Sequence, residues 1–250
     1  LSSYSEKELL EIIENAGITG EGGAQFPVHI KYDVKDKRIK NLILNGAECE
    51  PYLTCDYTLM KEYTRELFDG IKIICEILKP ENIILAIDEK YSALESEFQK
   101  YNTDNVKILT VSDIYPQGSE QLLINSILNK EIPKLKLPAE EGIIVSNVGT
   151  VKAVYEAFSY GRPLVERIVT ISGEKSGEYG DYIIKIGTPL SHIIKKSGLK
   201  DQPENVRMIF GGPMMGNEIS DLETGIMKGT SGVLFLSKEI DRIERKNCIL

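Results

Sequence analysis

Apolar positions in this chain switch repeatedly between a helical and an extended period. Leu9, Leu10, Ile12, Ile13 and Ala16 recur at helical spacing behind a capping box, Ser5-Glu-Lys-Glu8, and the pattern stops at Gly17. Asn41-Leu-Ile-Leu-Asn45 is a short apolar run that reads as a buried strand. A helical pattern then runs from Asp56 to Leu78 through Leu59, Tyr63, Leu67, Ile71, Ile74 and Ile77. The alternation continues with a strand at 82–87, a helix at 91–101, a strand at 106–111, a helix at 120–129, a strand at 142–147 and a helix at 151–160. Strands alternating with helices predict an α/β fold built on a doubly wound, mainly parallel sheet.

After Arg162-Pro163 the texture changes. Strands are expected at 165–173 and 182–185, a short helix at 190–197, a turn-rich loop at Gly211-Gly-Pro-Met-Met-Gly216 and a closing strand at 232–236. The expected organisation is an α/β domain over 1–165, a small α+β domain over 166–238, and a charged helical segment over 239–250. A chain that starts at Leu1 without Met and stops just after that charged segment reads as a piece of something larger.

With 250 residues, 42% of them hydrophobic, the chain can bury a substantial core. Its formal charge of −8 and pI near 5.1 speak against nucleic acid as a partner, which needs a surplus of Lys and Arg. No apolar run approaches the roughly 20 residues that span a bilayer, and the start lacks a signal-peptide pattern. Cys49, Cys55, Cys75 and Cys248 lack the paired spacing of a disulfide framework. A cytoplasmic location is expected.

The chemistry concentrates at strand ends. Gly20-Glu-Gly-Gly-Ala-Gln-Phe-Pro-Val-His-Ile-Lys31 lets backbone approach a ligand closely and offers Lys31 to a phosphate. It is not a Rossmann fingerprint: Gln25 stands where the third glycine belongs, and the loop follows a helix. The same glycines would equally serve a plain turn. Asn45-Gly-Ala-Glu-Cys-Glu-Pro51 carries Glu48 and Glu50, which accept hydrogen bonds from hydroxyl or amide groups when they are not simply an acidic loop. Paired carboxylates also suit a metal or hydrolytic site, yet His29 and His192 are far apart and lie beside neither acid. Tyr115-Pro-Gln-Gly-Ser-Glu120 follows the strand ending at Val111 and opens a helix, and Asn147-Val-Gly-Thr150 ends another strand and opens another helix. All four segments are expected on one edge of the sheet, where open α/β sheets bind ligands.

At these residues the chain resembles the C subunit of the Rnf electron-transport complex and its relatives, a group similar to the flavin-carrying, NADH-oxidising 51 kDa subunit of respiratory complex I. Gly20-x-Gly-Gly-Ala-x-Phe-Pro-x-x-x-Lys31 is similar to the family's flavin mononucleotide (FMN) loop and Asn45-x-Ala-Glu-x-Glu-Pro51 to its acidic loop. Gly118-x-Glu-x-x-Leu-x-Asn-Ser-Ile127 and Asn147-Val-x-Thr150 match two further blocks. Other relatives are an electron-transfer protein associated with proline reductase and a cobalamin reductase of microcompartments, and Ala-Glu-Cys-Glu-Pro-Tyr is closer to that branch than to complex I.

The resemblance implies a complex I 51 kDa-like FMN domain followed by a β-grasp, ubiquitin-like domain of the soluble-ligand-binding type. Gly20, Gly22, Gly23, Lys31, Asn45, Glu48, Gly118, Asn147 and Thr150 would hold FMN; Phe26, Glu50 and Glu120 would face NAD(H). Electrons would leave for iron–sulfur clusters beyond Leu250, with Cys248 as a first cluster ligand. Partner subunits of a soluble or membrane-associated redox complex are implied, the latter placing the protein on the inner face of the membrane. Gln25, Val28 and Ser119 depart from the family pattern; with flavin binding lost, the chain would be a non-catalytic docking module.

Overall fold

The computed structural model describes residues 4–35 and 37–238, so Cys248 and the helix expected over the last dozen residues lie outside the described residues. Helix α1 (Glu6–Asn15) has the predicted capping box: Ser5 accepts from the Glu8 amide and the Glu8 carboxylate accepts from the Ser5 amide at 2.7 Å. After the glycine loop comes a helix that the sequence pattern does not announce, α2 (Val28–Tyr32), then β1 (Asn41–Gly46). The helix expected over 56–78 is two, α3 (Cys55–Glu62) and α4 (Thr64–Leu78). Thr64 accounts for the break, because its hydroxyl donates to the Met60 carbonyl at 2.7 Å and competes with the backbone ladder.

Strand β2 (Asn82–Asp88) follows. In place of the helix expected over 91–101 stand a 3₁₀ segment (Glu89–Leu94) and one α-helical turn, α5 (Glu95–Phe98). The first sheet unit continues with β3 (Lys107–Val111), α6 (Glu120–Leu128), β4 (Ile143–Asn147) and α7 (Val148–Tyr160). The four strands pair in parallel in the order β3-β2-β1-β4. Successive side chains serve opposite faces. Leu42, Leu44, Leu85, Ile87 and Ile144 pack with α1, α4 and α7, whereas Ile43, Ala86, Ile143 and Val145 pack with Leu123 and Ile124 of α6. Both faces are apolar, as a doubly wound sheet requires. In the first of these cores the Tyr32 hydroxyl lies 2.5 Å from the Ser146 hydroxyl, tying α2 to β4.

A second, mixed sheet comprises β5 (Glu166–Ser172), β6 (Gly180–Lys185), β7 (Val206–Phe210), β8 (Asn217–Glu218) and β9 (Gly232–Ser237), with α8 (Leu190–Ser197) between β6 and β7. Its order is β6-β5-β9-β7-β8, with β5 and β9 parallel and the other pairs antiparallel. This is the β-grasp order, closed by Leu190 and Ile193 of α8 over Val169, Phe210 and Phe235. Strands β7 and β8 are absent from the sequence expectation.

Helices α4 and α7 pack closely at Gly70, where a Cβ would stand 2.6 Å from the Val151 carbonyl oxygen and 2.9 Å from its Cγ1. Gly70→Ala gains at most about 1 kcal/mol of helix propensity but overpacks the crossing, which typically costs about 1–3 kcal/mol. Urea unfolding should therefore show net destabilisation; a more stable variant would mean that the helices part freely.

Candidate functional site at the carboxyl edge of the parallel sheet

The chain leaves β1 toward β2 on one side and returns through β4 on the other, so the carboxyl edge opens between these two strands. Open α/β sheets hold ligands at such a switch point. Asn45 and Asn147 are register partners at the ends of β1 and β4. The Asn45 amide donates to the Gly118 carbonyl at 2.8 Å and accepts from Ala47 N–H at 3.0 Å. Asn147 caps α7 by accepting from Gly149 N–H at 2.8 Å and donates to Asp56 Oδ2 at 2.7 Å. These two amides stitch three of the predicted segments together.

The glycine loop lies over this edge. It is closed on itself by Gly20 N–H donating to the Phe26 carbonyl at 2.9 Å and is held down by Glu21 N–H donating to the Thr150 hydroxyl at 3.0 Å. Gly23 has φ +99°, and a Cβ there would meet nothing within 4 Å. It is bare backbone facing space. The space is a cavity of about 540 Å³ bounded by this loop, the 45–56 segment, the 115–119 segment and Asn147 on one side, and by loops of the second sheet on the other. Its size falls within the ~300–1,000 Å³ of small-molecule sites.

Of the residues expected at the site, Gly22, Gly23, Asn45 and Glu48 line the cavity, as do Glu50, Gly118 and Asn147. Thr150 lies behind the wall, buried, and Gly20 at the neck of its loop. Lys31, Phe26 and Glu120 do not line it. Lys31 Nζ pairs with Glu120 Oε1 at 2.9 Å, next to the cavity-lining Ser119, and the Phe26 ring is half exposed. Gln25 adopts φ +52° and lays its side chain against Gly229 of the second sheet unit; a Cβ on Gly229 would stand 2.7 Å from Gln25 Cγ.

Among the described residues, every charged side chain on the wall is acidic: Glu21, Glu48, Glu50 and Asp56. Glu48 is buried and serves as a remote cap for α3. Its Oε1 accepts from the Cys55 thiol at 3.2 Å and Asp56 N–H at 3.1 Å, its Oε2 from Tyr57 N–H at 3.3 Å. Burial, reinforced by the nearby Asp56 charge, pushes its carboxyl up to about 8. Burial also raises Asp56 and Glu21 against the opposing pull of Asn147 and Arg167 respectively. The wall is therefore acidic in composition, while burial favours the protonated form of these carboxyls, Glu48 most of all. Glu48, Cys55 and Asp56 bring ligand-type atoms within 4.8 Å of one another, but each already serves α3 or Asn147.

Sequence reading overlooks Glu21 and Arg167. Arg167 on β5 places Nε 3.6 Å from Glu21 Oε2, both side chains buried, and its guanidinium also donates to the Lys228 carbonyl. An arginine directly before the apolar pair Ile168-Val169 of β5 is the signal that marks it.

A family model described as the Nuo51 FMN-binding domain matches residues 13–156. The chain is 43% identical over 249 residues to the C subunit of the proton-translocating ferredoxin:NAD(+) oxidoreductase complex of Clostridium ljungdahlii, covering 98% of this chain and 54% of that protein. It is 39% identical over 236 residues to the C subunit of the ion-translocating oxidoreductase complex of Rhodobacter capsulatus, covering 92% of this chain and 45% of that protein. The chain thus spans about half the length of these relatives. In fold it is similar to a chain of an NAD+-reducing [NiFe]-hydrogenase in the H2-reduced state, with TM-score 0.81 and 19% identity, covering 96% of this chain and 48% of that one. Among the described residues no helix is long and apolar enough to cross a membrane.

Proposed function

From the premise that this chain belongs to the Nuo51 FMN-binding-domain family, alongside the Rnf-type C subunits, we propose that it is the FMN-binding, NAD(H)-reacting core of an electron-transfer subunit. The observation that carries this reading is the cavity at the β1/β4 switch point, where the glycine loop, Asn45, Glu48, Gly118 and Asn147 converge. The wall suits such a cofactor. Gly23 leaves backbone open to a flat ring, and burial, which favours the protonated form of Glu48, lowers the negative charge that this wall turns on an anionic ligand. Lys31 sits at the rim beside the N-terminus of α6, where an anionic end is favoured once Glu120 releases it.

Bound FMN would accept a hydride and release electrons one at a time. This chain's part is to hold and orient. Gly22 and Gly23 admit the ring, Asn45 and Asn147 fix the spacing of the strand ends, and the exposed Phe26 offers a stacking face to an incoming nicotinamide. Residues 1–165 and 166–238 form its two domains, and iron–sulfur clusters and partner subunits of a redox complex receive the electrons.

The test is an absorbance spectrum of the purified chain with FMN, before and after anaerobic NADH. A retained yellow complex that NADH bleaches supports the reading. A chain that retains no flavin is the docking module; one that retains flavin inert to NADH has no nicotinamide chemistry.

A further inference from the structure

A large share of the cavity wall comes from the second sheet unit, which neither the family match nor the glycine loop accounts for: the matched region ends at residue 156. Three glycines there sit where a side chain would collide with the first unit's share of the wall. A Cβ on Gly212 would stand 2.3 Å from Glu50 Oε2, on Gly229 2.7 Å from Gln25 Cγ, and on Gly232 2.4 Å from Leu53 Cδ2. The Glu50 carboxylate reaches across and accepts from Met214 N–H at 2.9 Å and Met215 N–H at 2.8 Å. Both its oxygens are spent on the loop over 211–216.

The second unit adds thioether and aromatic groups to the wall. Asn45, Glu48 and Asn147 bring hydrogen-bonding groups to one side; the other adds the apolar Phe210, Met215 and Met227 beside the small polar Asn217, Thr230 and Ser231, and the Met215 side chain remains three-quarters exposed. A flat heteroaromatic ring with a polar edge matches such a slot, since thioethers pack well on aromatic faces.

Resting on the FMN reading above, we infer that the binding site is a composite of both units: Met215 covers the face of the bound flavin ring, and Glu50 is the positioning residue that clasps the 211–216 loop in place. Glu50 thereby acts through the loop, in contrast to the direct nicotinamide contact that the resemblance implies.

The test titrates FMN fluorescence against the full chain and its Glu50→Ala, Gly212→Ala and Met215→Ala variants, with hydrogen–deuterium exchange over 211–216 without flavin. Met215→Ala should weaken FMN about tenfold, the scale of losing one thioether packed on an aromatic ring, with exchange unchanged. Glu50→Ala and Gly212→Ala should weaken binding at least as much and accelerate exchange of the loop, with melting temperatures near wild type; Glu50→Gln, which keeps one acceptor oxygen, should fall between. Wild-type affinity in all variants would overturn the composite site and leave the FMN reading standing. Failure of the wild-type chain to bind FMN would overturn both, and only that outcome touches the underlying reading.

Discussion

Arg167→Leu should destabilise the fold by about 3–5 kcal/mol, the range for stripping one partner from a buried ion pair. Glu21 and Arg167 side chains are only 6% and 2% exposed, so solvent cannot replace the lost guanidinium. The variant also strips a donor from the Lys228 carbonyl. Most of the loss should be recovered in the double variant Arg167→Leu with Glu21→Gln, because the expense lies in the abandoned carboxylate and not in the absent attraction. Equilibrium urea unfolding of the four proteins closes the cycle. A loss below about 1 kcal/mol in the single variant would identify the pair as one that water reaches, in the range of surface pairs. The two residues are distant in sequence, and their contact joins the glycine loop to β5, so the same variant should loosen the cavity mouth.

The second large effect concerns pH. Glu48 moves from an ordinary 4.5 to about 8 on folding, through burial and then the Asp56 charge. A carboxyl raised in this way keeps its proton better in the folded state. Its contribution is full below 4.5, is lost progressively as pH rises toward 8, and is gone above it. Glu48→Gln keeps a carbonyl oxygen to cap α3 and cannot ionise. Relative to wild type, the variant should gain on the order of 3–5 kcal/mol between mildly acidic and mildly alkaline buffer. Urea unfolding at intervals across that range measures the difference directly. Parallel stability curves for the two proteins would show that Glu48 ionises freely in the fold.

Much of the first sheet is legible in the sequence because buried parallel strands are short apolar runs and leave little to mistake. Leu42-Ile-Leu44 and Ile143-Ile-Val145 are of this kind, and the prediction that their carboxyl ends carry the chemistry follows from topology alone. Strand β7 is hidden because its apolar end, Met208-Ile-Phe210, runs straight into Gly211-Gly-Pro213 and reads as the approach to a turn. The break between α3 and α4 is invisible because the apolar stripe continues through it, while the backbone at Tyr63 leaves helical angles (φ −121°, ψ 33°) beside the Thr64 hydroxyl that bonds the Met60 carbonyl. At the site, residue type indicates which side chains gather but not whom they serve. Glu48 reads as a free acceptor and spends its oxygens on α3, Lys31 reads as free for phosphate and pairs with Glu120, and Gln25 reads as obstructive and lies against Gly229. Each of these partners comes from another segment of the fold, which no local pattern can report.

The hydrogen bond between Tyr32 and Ser146 has a further consequence. Because β4 is apolar on both faces, sliding it by one residue along β1 would exchange Ile144 for Val145 against the helices at little hydrophobic expense, while turning Asn147 to the wrong side of the sheet. The greasy interior thus tolerates an error that the ligand site cannot. Tyr32 closes the helix that issues from the glycine loop, and by gripping Ser146 it indexes strand against loop, like a dowel between two machined halves. Tyr32→Phe should leave a chain that folds yet holds the two asparagines less strictly in line.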